Sequence, residues 1–223
     1  MASKTCVSIG AFSVATLVRE AKKALHRSDY AELRLDFLRS SSIPDCLNAM
    51  KPHLGRCICT LRPRSEGGRF SGTESERISV LKLIAEYNPY LLDVEYNTLR
   101  KNTDLCRYLR RSNTPILVSW HDFSKTPKEH ELRSMAKKMA TFSKNIKIVT
   151  TARTIEDTLR VLSLYKRPRK ENMVAFAMGD YGRMSRILCT RLGSPFTYVS
   201  LGKPVAPGQF SLDEMKAIFQ LQG

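Results

Sequence analysis

Eight short runs, mostly apolar, recur along the 223 residues, each followed by a stretch that reads as a helix. In the first of these stretches Val14, Leu17, Val18, Ala21 and Leu25 fall at helical spacing, and the fourth, at 99–111, is polar. The runs lie at residues 6–11, 30–38, 56–62, 90–96, 116–123, 146–151, 173–178 and 196–201. These helical stretches lie at 14–26, 43–54, 74–87, 99–111, 128–142, 154–165, 182–192 and 211–221. Short apolar runs read as strands buried on both faces, and the intervening periodicity as helices. Strands of that kind belong to parallel sheets, because a parallel crossover takes a dozen or more residues and lays a helix across the sheet. The alternation predicts an α/β fold, a (β/α)8 barrel, with residues 1–223 forming a single domain. An open doubly wound sheet is the structural alternative. It calls for G-x-G-x-x-G after the first strand, and Ile9-Gly10-Ala11-Phe12 lacks that spacing.

Composition narrows the class of function. The formal net charge is +16, but the lysines and arginines are spread along the helical stretches, with no basic tail and no RRM, zinc-finger or helix-turn-helix signature. Solvated helix faces and steering of an anionic substrate account for them better than a nucleic-acid partner does. No run of about 18 apolar residues occurs and the N-terminus lacks an apolar signal segment, which predicts a cytoplasmic protein with no membrane partner. The six cysteines (6, 46, 57, 59, 106, 189) are scattered. Cys57 and Cys59, two apart on a strand, match neither a zinc knuckle nor a C-x-x-C redox pair. They are expected to be small buried residues.

In a barrel the functional side chains stand at the C-terminal ends of the strands. On the second run, period two puts Glu32, Arg34 and Asp36 on one face and Leu33, Leu35 and Phe37 on the other. With helices over the leucines the charges face inward, where they are tolerated only when paired or used. The third run ends in Arg62 and leads to Glu66-Gly67-Gly68, the fourth ends in Asp93-Val94-Glu95, and the fifth brings His121. The sixth carries Lys147, a cation that is costly inside a buried strand unless the site uses it. Past the seventh, Met178 leads to Ser185 and Arg186 early in a helix, where the dipole favours an anion. The eighth leads to Val205 and the turn Ala206-Pro207-Gly208-Gln209, able to form a lid. A histidine and a strand lysine one βα unit apart are the parts of an imine-forming enzyme. Lys144 is the rival amine, but it precedes the strand and is expected in solvent; His26, His53 and His130 are expected at the surface.

Taken in order, about one to each strand–helix unit, these motifs resemble those of the type I 3-dehydroquinate dehydratases over nearly the whole chain. They are Glu32-x-Arg34-x-Asp36, Arg62-x3-Glu66-Gly67-Gly68, Asp93-x-Glu95, Ser119-x-His121-Asp122-Phe123, Lys147, Met178-Gly-x2-Gly-x2-Ser-Arg186 and Ala206-Pro207-Gly208-Gln209. The resemblance implies a lyase of the shikimate pathway that dehydrates 3-dehydroquinate to 3-dehydroshikimate by syn elimination through a lysine Schiff base, with no metal and no cofactor. It implies Lys147 as the imine-forming amine, His121 as base and then acid, and Glu66, ahead of Glu95, as the carboxyl that orients His121 or shares its proton. Arg186 and Gln209 would hold the substrate carboxylate, and Glu32, Arg34 and Arg62 would meet the ring hydroxyls. Asp36, Asp93, Glu95, Met178 and Val205 support these groups, and a homodimer is implied as well.

The chain departs from the family pattern twice. Val205 stands where Ser or Thr usually precedes Ala-Pro-Gly-Gln, which removes a hydroxyl. The first run begins at residue 6, which leaves no room for the N-terminal hairpin of longer members. A class I aldolase also uses a lysine on the sixth strand of such a barrel, but the His121 and Arg186 motifs do not resemble that family. A basic nucleic-acid-binding domain is the alternative of another class.

Overall fold

The computed structural model describes residues 3–166, 171–202 and 208–221. The strands are β1 (Thr5–Ile9), β2 (Tyr30–Arg34), β3 (Cys57–Thr60), β4 (Leu91–Glu95), β5 (Ile116–His121), β6 (Asn145–Thr151), β7 (Asn172–Met178) and β8 (Thr197–Val199). They are hydrogen-bonded in the order β7-β6-β5-β4-β3-β2-β1-β8. Every strand therefore lies beside its neighbours in sequence, and the first also pairs in parallel with the last through Thr5↔Thr197, Cys6↔Tyr198 and Val7↔Val199. That is the strand order of a (β/α)8 barrel; a doubly wound sheet reverses at a switch point and does not join its first strand to its last. Among the described residues no hairpin precedes β1.

The chain forms two compact units, Ser8–Leu117 and the pair of segments Met1–Val7 and Val118–Gly223. The first contains α1 (Val14–Arg27), α2 (Ile43–Met50), α3 (Glu74–Glu86), α4 (Tyr96–Lys101) and α5 (Thr103–Arg111) around β2, β3 and β4. Its core holds Leu33, Ile58, Leu61, Leu81, Leu92 and Val94. Three elements differ from their sequence expectation. The second strand stops at Arg34 and Leu35–Phe37 turns into a 3-10 helix, which lets Asp36 fold back on the Arg34 guanidinium. The helix expected at 43–54 changes to 3-10 at Lys51, where Pro52 has no N–H for an α-helical bond. The helix expected at 99–111 is two helices. Asn102 leaves helical backbone geometry at φ −129° and ψ 85°, while its side-chain amide donates to the Thr98 carbonyl at 3.0 Å in place of a backbone donor.

The second unit contains α6 (Glu129–Ala140), α7 (Ile155–Leu162), α8 (Arg183–Arg191) and α9 (Leu212–Gln220). β6 and β7 stay in register from Asn145↔Asn172 to Thr151↔Met178, and Ile146, Ile148, Val174 and Ala175 are buried between layers. The expected capping box opens α9: Ser211 Oγ accepts from Glu214 N, and a Glu214 carboxylate oxygen accepts from Ser211 N. β8 is shorter than expected because Ser200 pairs elsewhere, donating its N–H to Phe210 O and accepting from Leu212 N. All six cysteines are free; five are buried and Cys106 is partly exposed.

Candidate active site

In Ser8–Leu117 the candidate charges form buried, paired clusters. Glu32 accepts from Ser8 Oγ at 2.6 Å and from Thr60 Oγ1 at 2.9 Å, so hydroxyls of the two flanking strand regions fix its carboxylate. Arg34 grips Asp36 bidentately at 2.8 and 2.8 Å, and Asp36 also accepts the Arg69 backbone N–H. Arg62 reaches Asp93 Oδ2 and Glu95 Oε1, each at 2.7 Å. The other Glu95 oxygen is held at 2.7 Å by Arg77, which also pairs with Glu74 and donates to Thr98 Oγ1 and the Leu61 carbonyl.

Arg77 is 1% exposed and was not among the sequence candidates. Its position was a legible signal, since residues 77, 81 and 84 share one face of α3 and two of them are the buried Leu81 and Ile84. A charge at a core position of a helix has to have partners.

Glu66 ends a short 3-10 turn and is carried back by the loop that follows. Gly67 takes φ 74°, and a Cβ at Gly68 would overlap the Arg62 carbonyl, so the close approach there requires glycine. Glu66 Oε1 accepts from Asn97 Nδ2 at 3.1 Å. Burial, reinforced by the Glu95 charge and opposed by Arg62, raises this carboxyl above the ordinary glutamate range.

In the second unit β5 delivers His121 at its end, half-buried, with its ring stacked on Phe123 at 5.8 Å. Asp122 stops the strand: its N–H bonds Val149 O at 2.9 Å, and its Oδ1 accepts from Ser124 N, Ser124 Oγ and Lys125 N. Lys147 lies within β6, 6% exposed, and its Nζ stands 4.2 Å over the ring of Tyr198. Arg186, in the first turns of α8 and fully buried, stands 4.3 Å over Phe176, and the Phe176 and Tyr198 rings pack at 6.1 Å. Each cation thus sits on its own aromatic face, and the two rings touch. Burial pushes the Arg186 guanidinium down to about 10, which leaves it cationic at neutral pH. Ser185 explains its place in the motif, because its Oγ accepts from Ala177 N at 2.8 Å and donates to Gly182 O at 2.5 Å, pinning the start of α8 to β7.

Met178 is buried at the end of β7, and Gln209 is buried after Gly208. Gly208 has φ 70°, and a Cβ there would come within 2.8 Å of the Gly179 carbonyl. Val205, Ala206 and Pro207 lie outside the described residues. Lys144, His26 and His130 are exposed as expected, and His53 is half-buried. No periodicity in the sequence links Lys147 to Tyr198 or Arg186 to Phe176; these contacts exist only once the strands are assembled.

The family profile described as Type I 3-dehydroquinase matches residues 5–223. A 3-dehydroquinate dehydratase of Dehalococcoides mccartyi is 39% identical over 204 residues, 90% of this chain and 89% of that protein. One from Methanococcus maripaludis is 34% identical over 221 residues, 98% of this chain and 99% of its own. In fold the chain is similar to the crystal structure of 3-dehydroquinate dehydratase from Geobacillus kaustophilus, with a TM-score of 0.90 at 22% identity, over 98% of this chain and 90% of that one.

Proposed function

The chain belongs to the type I 3-dehydroquinase family, and from that premise we infer that it dehydrates 3-dehydroquinate to 3-dehydroshikimate through an imine on Lys147. The observation that supports Lys147 as the amine is its burial inside β6, where a lysine is rarely found unless it is used. The neutral amine adds to the C3 ketone, and the resulting carbinolamine takes a proton from solvent on its hydroxyl and loses it as water, which leaves the protonated imine. The protonated imine then draws electrons from the C2–H bond. His121, half-buried at the end of β5, takes that proton, and the electron pair becomes an enamine. The enamine expels the C1 hydroxyl, which receives the proton from His121 and leaves as water. A water molecule finally hydrolyses the imine and restores the lysine.

Arg186 and Gln209 are the proposed carboxylate contacts; a buried guanidinium suits a charge-assisted, bidentate bond. Glu66, whose carboxyl keeps its proton more readily than an exposed glutamate, and Glu32, Arg34 and Arg62 keep the roles the family likeness gives them: proton sharing and hydroxyl binding. Asp36, Asp93, Glu95 and Met178 support those groups. The same likeness underlies a cytoplasmic homodimer as a proposal. Among the described residues no helix is long and apolar enough to cross a membrane.

Two measurements test the reading. Mixing the protein with 3-dehydroquinate should raise the enone absorbance of the product, and borohydride added during turnover should fix substrate-derived mass on Lys147. An adduct on Lys144, or none, overturns it. Lys147→Ala should lose almost all activity and Lys147→Arg should do no better, since a guanidinium cannot supply a neutral amine.

A further inference from the structure

Tyr198 takes no part in the chemistry described so far, yet it is the aromatic ring that Lys147 rests on. It is 3% exposed on β8 and held from two sides, edge-on by Phe196 at 5.5 Å and 77°, and by Phe176 at 6.1 Å. Arg186 occupies the face of Phe176, so the face of Tyr198 is given to Lys147. Resting on the imine reading above, we propose that Tyr198 is a further catalytic residue whose ring face stabilises the positive nitrogen of the protonated imine.

The charge on nitrogen changes along the path, which is why a ring face matters. When the amine lone pair forms the N–C3 bond, the ketone π pair moves to oxygen, and proton transfer from nitrogen to oxygen gives a neutral carbinolamine. Protonation of that hydroxyl from solvent and its loss as water, with the nitrogen lone pair closing the C=N bond, creates the cation. The electron-rich face of an aromatic ring attracts a cation within about 6 Å of its centroid and has no such attraction for a neutral amine or carbinolamine. Lys147 Nζ is already inside that range at 4.2 Å. The ring attracts any ammonium form of the free lysine as well, so its benefit lies in the ratio of iminium to carbinolamine and not in the first attack. That ratio sets how much of the bound substrate has its C2–H bond acidified.

A packing role and an electrostatic role separate in a series of phenylalanine analogues placed at position 198. Tyr198→Phe keeps the ring face and should trap wild-type levels of borohydride adduct within about threefold. Adding one, two and three fluorines to that phenylalanine withdraws density from the face with little change of shape. The trapped fraction, read by intact mass at saturating 3-dehydroquinate, and kcat should fall step by step, on the order of tenfold across the series. Tyr198→Leu should lose at least as much while keeping its circular dichroism spectrum. A flat fluorine series, with the adduct forming normally on wild-type Lys147, overturns this proposal alone. Absence of the wild-type adduct overturns the imine reading and this proposal with it.

Discussion

Arg77 and Arg62 hold the two oxygens of a single carboxylate, that of Glu95, each at 2.7 Å. The shared acid is fully buried, so neither arginine can be removed without leaving uncompensated charge in a low-dielectric interior. Arg77→Met should cost about 3–5 kcal/mol in urea unfolding. Arg77→Lys should recover only part of that, because a lysine cannot reproduce the fork that also reaches Glu74 and Thr98. A Met variant within about 1 kcal/mol of wild type, the scale of a surface pair, would show that Glu95 finds another partner.

His121→Ala should still form the imine on Lys147, though slowly, and then stall before elimination. The borohydride-trapped adduct should accumulate while the enone absorbance fails to rise. Turnover within a few fold of wild type would make His121 structural and require another base.

Arg186→Ala should act mainly on KM. A buried guanidinium that binds the carboxylate equally in the ground and transition states contributes to both, so its loss raises KM with little change in kcat. Loss of a charge-assisted bond worth roughly 1.5–3 kcal/mol corresponds to a rise of about ten- to one-hundred-fold. A fall in kcat at unchanged KM would assign Arg186 to the chemical step instead.

Glu66→Gln should change the pH dependence of stability in a defined direction. The raised pKa means that the folded chain holds this proton more tightly than the unfolded chain does. The contribution is complete below the ordinary glutamate pKa of about 4.3 and is lost as pH rises through the folded value. Gln cannot ionise, yet its Oε1 still accepts the Asn97 bond. The Tm of Glu66→Gln minus that of wild type should therefore grow in favour of Gln as pH rises through this window and then level off. A difference that stays constant, or shifts toward wild type, would place Glu66 in a solvated environment.

Much of this was legible in the sequence because it is periodic or local. The strands showed as apolar runs, Ser211 and Glu214 announced a helix start, and Lys147 stood out as a cation in an apolar strand. The break at Asn102 was hidden because residues 100–104 are all polar and carry no apolar periodicity to interrupt; the backbone angles of Asn102 and its side-chain bond to Thr98 reveal it. β2 was overextended because Glu32-x-Arg34-x-Asp36 has strand periodicity to its end, whereas the backbone turns into a 3-10 helix after Arg34 and brings Asp36 back onto the Arg34 guanidinium. The Tyr198 and Phe176 faces under the two cations come from different strands, a relation that no window of sequence contains.

The pairing of β1 with β8 also bears on how the chain comes off the ribosome. Thr5–Val7 meet their partners in Thr197–Val199, some 190 residues later. At roughly 5–20 residues per second, that partner arrives about ten to forty seconds after the strand that needs it. In the interval one edge of β1 presents unpaired N–H and C=O groups, the kind of edge on which other chains add. A nascent chain interrupted before Thr197 should therefore be a substrate for chaperones and proteases and not a smaller folded protein, because three late residues close what the first five began.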